Sequence, residues 1–247
     1  MTMTSFTNAL RAETTKLFSL RSSLVYAILL TGSLFGPVTL VALFGDDATL
    51  DWSTILFGLQ IFMLVAVIFA AATTAGDIRN HMHAQAFLTQ AGRWQWVTAK
   101  IIVTAVFTAV TYIIGVVLAI GVGAALGGTL SLGTDTSIPV VGLVTNVLFA
   151  AMSVGLACVI RSQVASVAVP VAWLLIIDGM LGAAAQSIDL FRPLAAIAPM
   201  QRQTQLLGGG DPLDFGFSTA VCYLIIIAWF AALAAFGLWR NHRVDVR

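Results

Sequence analysis

Charge is what this chain has least of. Asp, Glu, Lys and Arg together make up 9% of its 247 residues, against about 25% in an ordinary soluble domain. So few charges cannot clothe a water-exposed surface, and the 59% hydrophobic content with mean hydropathy +0.97 calls for lipid around much of it. A net charge of +1 is too small for nucleic-acid binding. Cysteine is scarce as well: Cys158 and Cys222 lie in separate apolar runs, expected near opposite membrane faces, so buried thiols are expected and not a disulfide. There is no G-x-x-x-x-G-K-[ST] segment, which excludes that cradle for a nucleotide; Gly208-Gly209-Gly210-Asp211 lacks the lysine. No nucleophile motif accompanies the histidines. His81 and His83 are two apart, do not share a helix face, and have no Cys or carboxylate cluster beside them, so no metal site is expected. No internal repeat is visible, which counts against an inverted-repeat carrier.

What the chain does have is long apolar runs. A membrane-crossing helix needs about 20 mostly apolar residues. Residues 24–44, 55–75, 101–126, 140–160, 164–185 and 217–239 meet that requirement. Gly36-Pro37 interrupts the first run but is tolerated where neighbouring helices satisfy the backbone. The expected fold is therefore one all-α membrane domain of about six transmembrane helices. The polar residues 1–22 precede the first run, which is longer than the core of a cleaved signal.

Orientation follows the basic residues. With both termini inside, Arg11, Lys16, Arg21, Arg79, Arg93, Lys100, Arg161, Arg240, Arg243 and Arg247 are internal and only Arg192 and Arg202 external, while Asp46, Asp47, Asp51, Asp135, Asp189, Asp211 and Asp214 fall outside. Residues 77–100 then form a cytoplasmic loop and 186–215 an extracellular one.

Three segments carry more than span chemistry. Phe6, Leu10, Leu17, Leu20 and Leu24 fall on one side of a helix, interrupted by Glu13; this predicts an interfacial helix over residues 1–22. Within 77–100, a helix over 80–90 is expected, stopped by Gly92, with Phe87 and Leu88 at its apolar end and His81, His83 and Gln85 keeping it polar. It is either a lever for a soluble partner or a solvated connection held at the interface by Trp94 and Trp96. Asp178, inside the fifth run, is either a gate or substrate contact, or a carboxylate hydrogen-bonded between helices or reached by outer water. Gln60 and Asn146 are helix glue or pathway lining, and Thr104, Thr108 and Thr111 form a packing stripe. Gly32-x-x-x-Gly36 and Gly123-x-x-x-Gly127 permit close helix approach within one chain or between two.

Taken together, Arg11-Ala12-Glu13 with Lys16, then Asp77-Ile78-Arg79, Leu88, Arg93 and Ala99-Lys100, and last the basic tail from Arg240 to Arg247, resemble permease subunits of ABC transporters of the type-2 exporter class, the small bacterial kind with about six spans. The order of spans and loops matches along essentially the whole chain. Ile78 stands where that family often has an aromatic, and His81-Met82 where it has Gly-Thr.

The resemblance implies a bacterial inner-membrane protein, a second permease chain (identical or related), and separate cytoplasmic ATPase subunits that hold ATP and Mg. This chain would carry no catalytic residue, cofactor or metal. It implies an elbow helix at the start, a coupling helix in 77–100, and a re-entrant extracellular segment before the last span. Glu13, Arg79, His81, His83, Gln85, Phe87 and Leu88 become candidate contacts to the ATPase. Phe57, Gln60, Leu64, Trp173 and Asp178 become candidate lining of a pathway for a hydrophobic or amphipathic drug, peptide or lipid. A stand-alone carrier or channel, and a non-transporting immunity or scaffold protein, are the alternatives.

Overall fold

The computed structural model describes residues 2–45, 49–82, 92–133, 136–160, 162–211 and 213–243. Six helices are long and apolar enough to cross a membrane, and the architecture is that of an all-α multi-pass membrane protein. A leading helix α1 (Thr2–Ser19) is followed by α2 (Arg21–Phe44), a short α3 (Trp52–Ile55), α4 (Leu59–Arg79), α5 (Arg93–Ala125) and α6 (Ser137–Ile160). The fifth crossing is composite: α7 (Gln163–Ala172), a π-helical turn (Trp173–Ile177) and α8 (Asp178–Ser187). A 3-10 turn (Asp189–Phe191) leads to the short helices α9 (Arg192–Ala196) and α10 (Pro199–Leu206), and α11 (Thr219–Arg243) closes the bundle.

Burial sorts the crossings. The apolar windows of α4 and α6 are each 61% buried, whereas those of α2, the fifth crossing and α11 are 17–22% buried. The first pair is the bundle's centre and the second group its lipid-facing rim. Leu30, Leu34, Phe62, Ala66, Tyr112, Ala150 and Val154 form the main core, and the Phe62 ring meets Tyr112 edge-on at 5.4 Å. A second core of Met63, Val67, Phe149, Met152, Leu174 and Ile226 joins α4 and α6 to the fifth crossing and α11.

The close crossing of α6 and α11 depends on two glycines. A Cβ at Gly155 would lie 2.6 Å from the Leu233 carbonyl oxygen, and one at Gly237 would lie 2.7 Å from that of Gly155. Of the G-x-x-x-G pairs singled out from the sequence, Gly123 does admit a close approach, since a Cβ there would lie 2.6 Å from Leu50 and 3.2 Å from Val38 of α2, while its three companions do not. Gly32 and Gly36 have open space beside them, and Gly127 takes a positive φ of 92° at the end of α5. One pairing was not foreseen: Thr49–Leu50 and Thr129–Leu130 form a two-residue parallel ladder that ties the two connections at one end of the bundle.

The fifth crossing shows why a π turn is placed where it is. Its buried residues Ser166, Pro170, Leu174, Asp178 and Gly182 recur every fourth position. In a regular α-helix that spacing drifts about 40° per step. The wider π turn, closed by the Asp178 N–H donating to the Trp173 carbonyl, offsets the drift. It keeps Asp178 turned inward, away from lipid.

Candidate functional site

Polar side chains gather at the two opposite ends of the bundle. At the first end α1 lies against the start of α5. Phe6 stacks on Trp94 with ring centres 5.9 Å apart, and Ala9 and Glu13 are buried. This corrects the expected α1 stripe. The inward face is Phe6, Ala9, Glu13 and Lys16 at helical spacing, while Leu20 and Leu24 stay exposed. Electrostatics decides it, because Glu13, which spoils the leucine stripe, has a cation waiting. Its Oε1 accepts from Trp96 Nε1 at 3.0 Å and its Oε2 lies 3.4 Å from Lys100 Nζ. Lys100 Nζ also donates to Asp77 Oδ2 at 2.9 Å, and Asp77 Oδ1 pairs with Lys16. Four charged groups from α1, α4 and α5 thus neutralise one another in a mostly buried position. Each partner limits the desolvation penalty of the next.

The expected coupling residues divide around this cluster. Glu13 is inside it. Arg79 ends α4 and its Nη1 donates to Gln163 Oε1 at 2.8 Å, bridging to the fifth crossing. Asn80 closes α4 and His81 has a φ of 53°, so a single helix does not run from α4 through the expected start of the 80–90 helix. His83, Gln85, Phe87 and Leu88 lie outside the described residues.

At the opposite end α10 is wedged between α6, α8 and α11. Asp178, fully buried, uses Oδ2 to accept from the Gln201 N–H at 3.0 Å. Gln201 Nε2 returns a bond of 3.1 Å to the Asp178 carbonyl. Gln201 is in the first turn of α10, whose own cap, Ala198, offers no side-chain acceptor. Asp178 therefore caps α10 from another helix, placing a carboxylate where orphan N–H groups and the positive helix end meet it. This is the between-helices reading of Asp178. Gln203 Nε2 donates to Thr145 Oγ1 at 2.8 Å on α6, and Asn146 Nδ2 donates to its own helix at the Gly142 carbonyl at 2.7 Å.

Arg202 was expected on the outer side, within the 186–215 loop. It is 1% exposed. Its guanidinium lies over Phe215 and Phe217, 5.3 and 5.1 Å from their ring centres, and Nη1 donates to Gln205 Oε1 at 2.6 Å. Two aromatic faces replace much of the water that it loses.

The expected pathway residues are not brought together within one chain. Leu64 and Trp173 pack against the same core of α4, α6 and α11. Phe57 (73% exposed) and Gln60 sit on the outer surface at the start of α4. Asp178 faces α10. Trp173 also borders an apolar cavity of about 150 Å³ among Phe149, Met152, Leu174, Trp229 and Leu233.

The sequence reading missed the charge cluster and the burial of Arg202. Signals existed for both: Lys16 and Lys100 are the chain's only lysines, each near the end of an apolar run, and Phe-Gly-Phe follows Arg202 by a short interval. No family model and no curated protein matches this chain.

Proposed function

We propose that this chain is the permease subunit of an ATP-driven exporter, driven by separate cytoplasmic ATPase subunits and working beside a second permease chain. The observation that carries this reading is the mechanical tie at the Lys100 end. Residues 80–92 are bracketed by Asp77 and Lys100, which bond to each other and, through Glu13 and Lys16, to α1. A push on that loop or on α1 is thereby shared between α4, at the bundle's centre, and α5. Ion-paired, packed elements of this kind move as one body, as alternation between two packings requires. In this reading α1 is the elbow helix, the Lys100 end faces the cytoplasm, and residues 80–90 carry the coupling helix.

The same reading makes α9 and α10 the re-entrant segment. Gln203 reaches Thr145, eight residues into α6, about 12 Å from its start. Exposed Phe57 and Gln60 would face a second permease chain, with Leu64 and Trp173 nearer the route taken by a hydrophobic or amphipathic substrate. The chain supplies no covalent chemistry; ATP and Mg belong to the partner subunit.

The test is co-purification of the chain from its native membranes with an ATPase subunit, using wild type and a Phe87→Asp, Leu88→Asp double variant. Wild type is expected to retain the ATPase and the variant to lose it. Absence of any ATPase from wild type, or equal retention by both, contradicts the proposal.

A further inference from the structure

Beside the charge cluster the structure opens a groove of about 1070 Å³ between α1, α2, α4 and α5, at or above the range of most small-ligand pockets, about 300–1,000 Å³. Its lining changes character along its length. Arg11, Thr15, Lys16, Ser19, Ser22 and Lys100 line the end near the helix termini. Tyr26, Phe69, Ala72 and Val103 line the end that enters the bundle. Phe69 lies ten residues before Arg79 in α4, about 15 Å along the axis. That is about half of a 30 Å hydrocarbon core. With the Arg79 end of α4 at the membrane surface, the groove reaches about the middle of the bilayer, the depth of one lipid leaflet.

Charge adds a sign. Three basic side chains, Arg11, Lys16 and Lys100, face two acidic ones, Glu13 and Asp77. Lys16 and Lys100 are engaged with the carboxylates. Arg11 is exposed and has no ion pair among the described residues. One positive charge is left over at the wet end, beside hydroxyl donors.

The geometry points to a binding site for one phosphate-bearing anionic lipid. Its headgroup meets Arg11, Thr15 and Ser22, and an acyl chain lies along Tyr26, Phe69 and Ala72. The guanidinium supplies forked donors for the phosphate, and the apolar wall takes the chain out of contact with water. The bound lipid fills the space between α1 and the spans, so it joins the ion cluster in holding α1 in place. This site is independent of the exporter reading.

The test is lipid retention by the purified full chain, measured by native mass spectrometry after exchange into phosphatidylglycerol or phosphatidylcholine with identical chains. Wild type is expected to retain one phosphatidylglycerol in about fivefold preference, in keeping with the attraction of one basic residue for an anionic headgroup. Arg11→Glu alters an exposed side chain and is expected to abolish the preference. Ala72→Phe narrows the apolar end and is expected to reduce retention of both lipids. Soluble glycerol 3-phosphate is expected not to displace the lipid. Equal retention of the two lipids by wild type, or an unchanged preference in Arg11→Glu, overturns the site. Unaltered retention in Ala72→Phe overturns the chain's placement. Displacement by glycerol 3-phosphate assigns the groove to a soluble phosphate compound and overturns the lipid.

Discussion

The two ends of the bundle solve the same problem with different chemistry. At one end Glu13, Lys16, Asp77 and Lys100 pair charge against charge, drawn from α1, α4 and α5. At the other, Asp178 meets a helix N-terminus, Gln203 meets a hydroxyl, and Arg202 lies against the stacked pair Phe215 and Phe217. The first arrangement is a network of mutual dependence: removing one ion leaves another buried without its counter-charge. The second is a set of local satisfactions, each resting on one or two neighbours. The comparison predicts that single substitutions at the first end do more damage than those at the second, and that paired substitutions restore more there.

The largest effect is expected at Lys100. Among the described residues, Lys100→Met leaves Glu13 with only Trp96 and Asp77 with only Lys16. Breaking a buried ion pair typically destabilises by about 3–5 kcal/mol. Thermal unfolding in lipid or detergent should show a large drop, and combining it with Glu13→Gln should recover part of the loss. At the opposite end, Asp178→Ala removes the cap of α10 and leaves the Gln201 N–H unbonded, at a cost of about 1–3 kcal/mol. Asp178→Asn keeps an acceptor and should lose about 1 kcal/mol or less. If Asp178→Asn were as damaging as Asp178→Ala, the carboxylate's charge and not its hydrogen bond would be what matters, and the contrast between the ends would weaken.

Between the ends, Gly155→Ala forces α6 and α11 apart, because the new methyl meets the Leu233 carbonyl. Overpacking of this kind costs about 1–3 kcal/mol. A cysteine cross-link introduced between the two helices should form more slowly in that variant. The smallest effect is expected at Asp51. It caps α3, with its Oδ1 accepting from the Thr54 N–H at 2.8 Å. Hydrogen bonds from Thr54 and Ser53 hold its carboxyl below the usual aspartate range. A lowered folded-state pKa stabilises above the ordinary value and is lost as pH falls through it. Asp51→Asn should therefore flatten a shallow loss of stability below about pH 4 and leave neutral-pH stability nearly unchanged.

What could be read from the sequence follows the range of the interactions. The six crossings are properties of contiguous apolar runs, and the helix starts differ from those runs by up to eight residues: α5 begins eight residues earlier because the polar Arg93–Lys100 continues the helix, while α4 begins four residues later and α11 two. The short α9 and α10 also follow from local proline, whereas the turn at Leu56–Gly58 falls inside the run expected as one span from residue 55. The sites are different in kind. Asp178 and Gln201 are 23 residues apart, Glu13 and Lys100 are 87 apart, and no periodicity encodes either contact. Glu13 shows the failure most directly. Judged within α1 it interrupts an apolar stripe; judged against α5 it determines which face of α1 turns inward. Arg202 reads as a loop charge until Phe215 and Phe217 fold over it.

Charge, more than leucine, fixes α1 to the crossings. A double-mutant cycle for Glu13→Gln and Lys100→Met, read by unfolding in lipid, isolates that term. A coupling energy of at least about 1 kcal/mol is predicted, with Leu20→Ser and Leu24→Ser near neutral. Additive losses at Glu13 and Lys100, together with large losses at the two leucines, would contradict it.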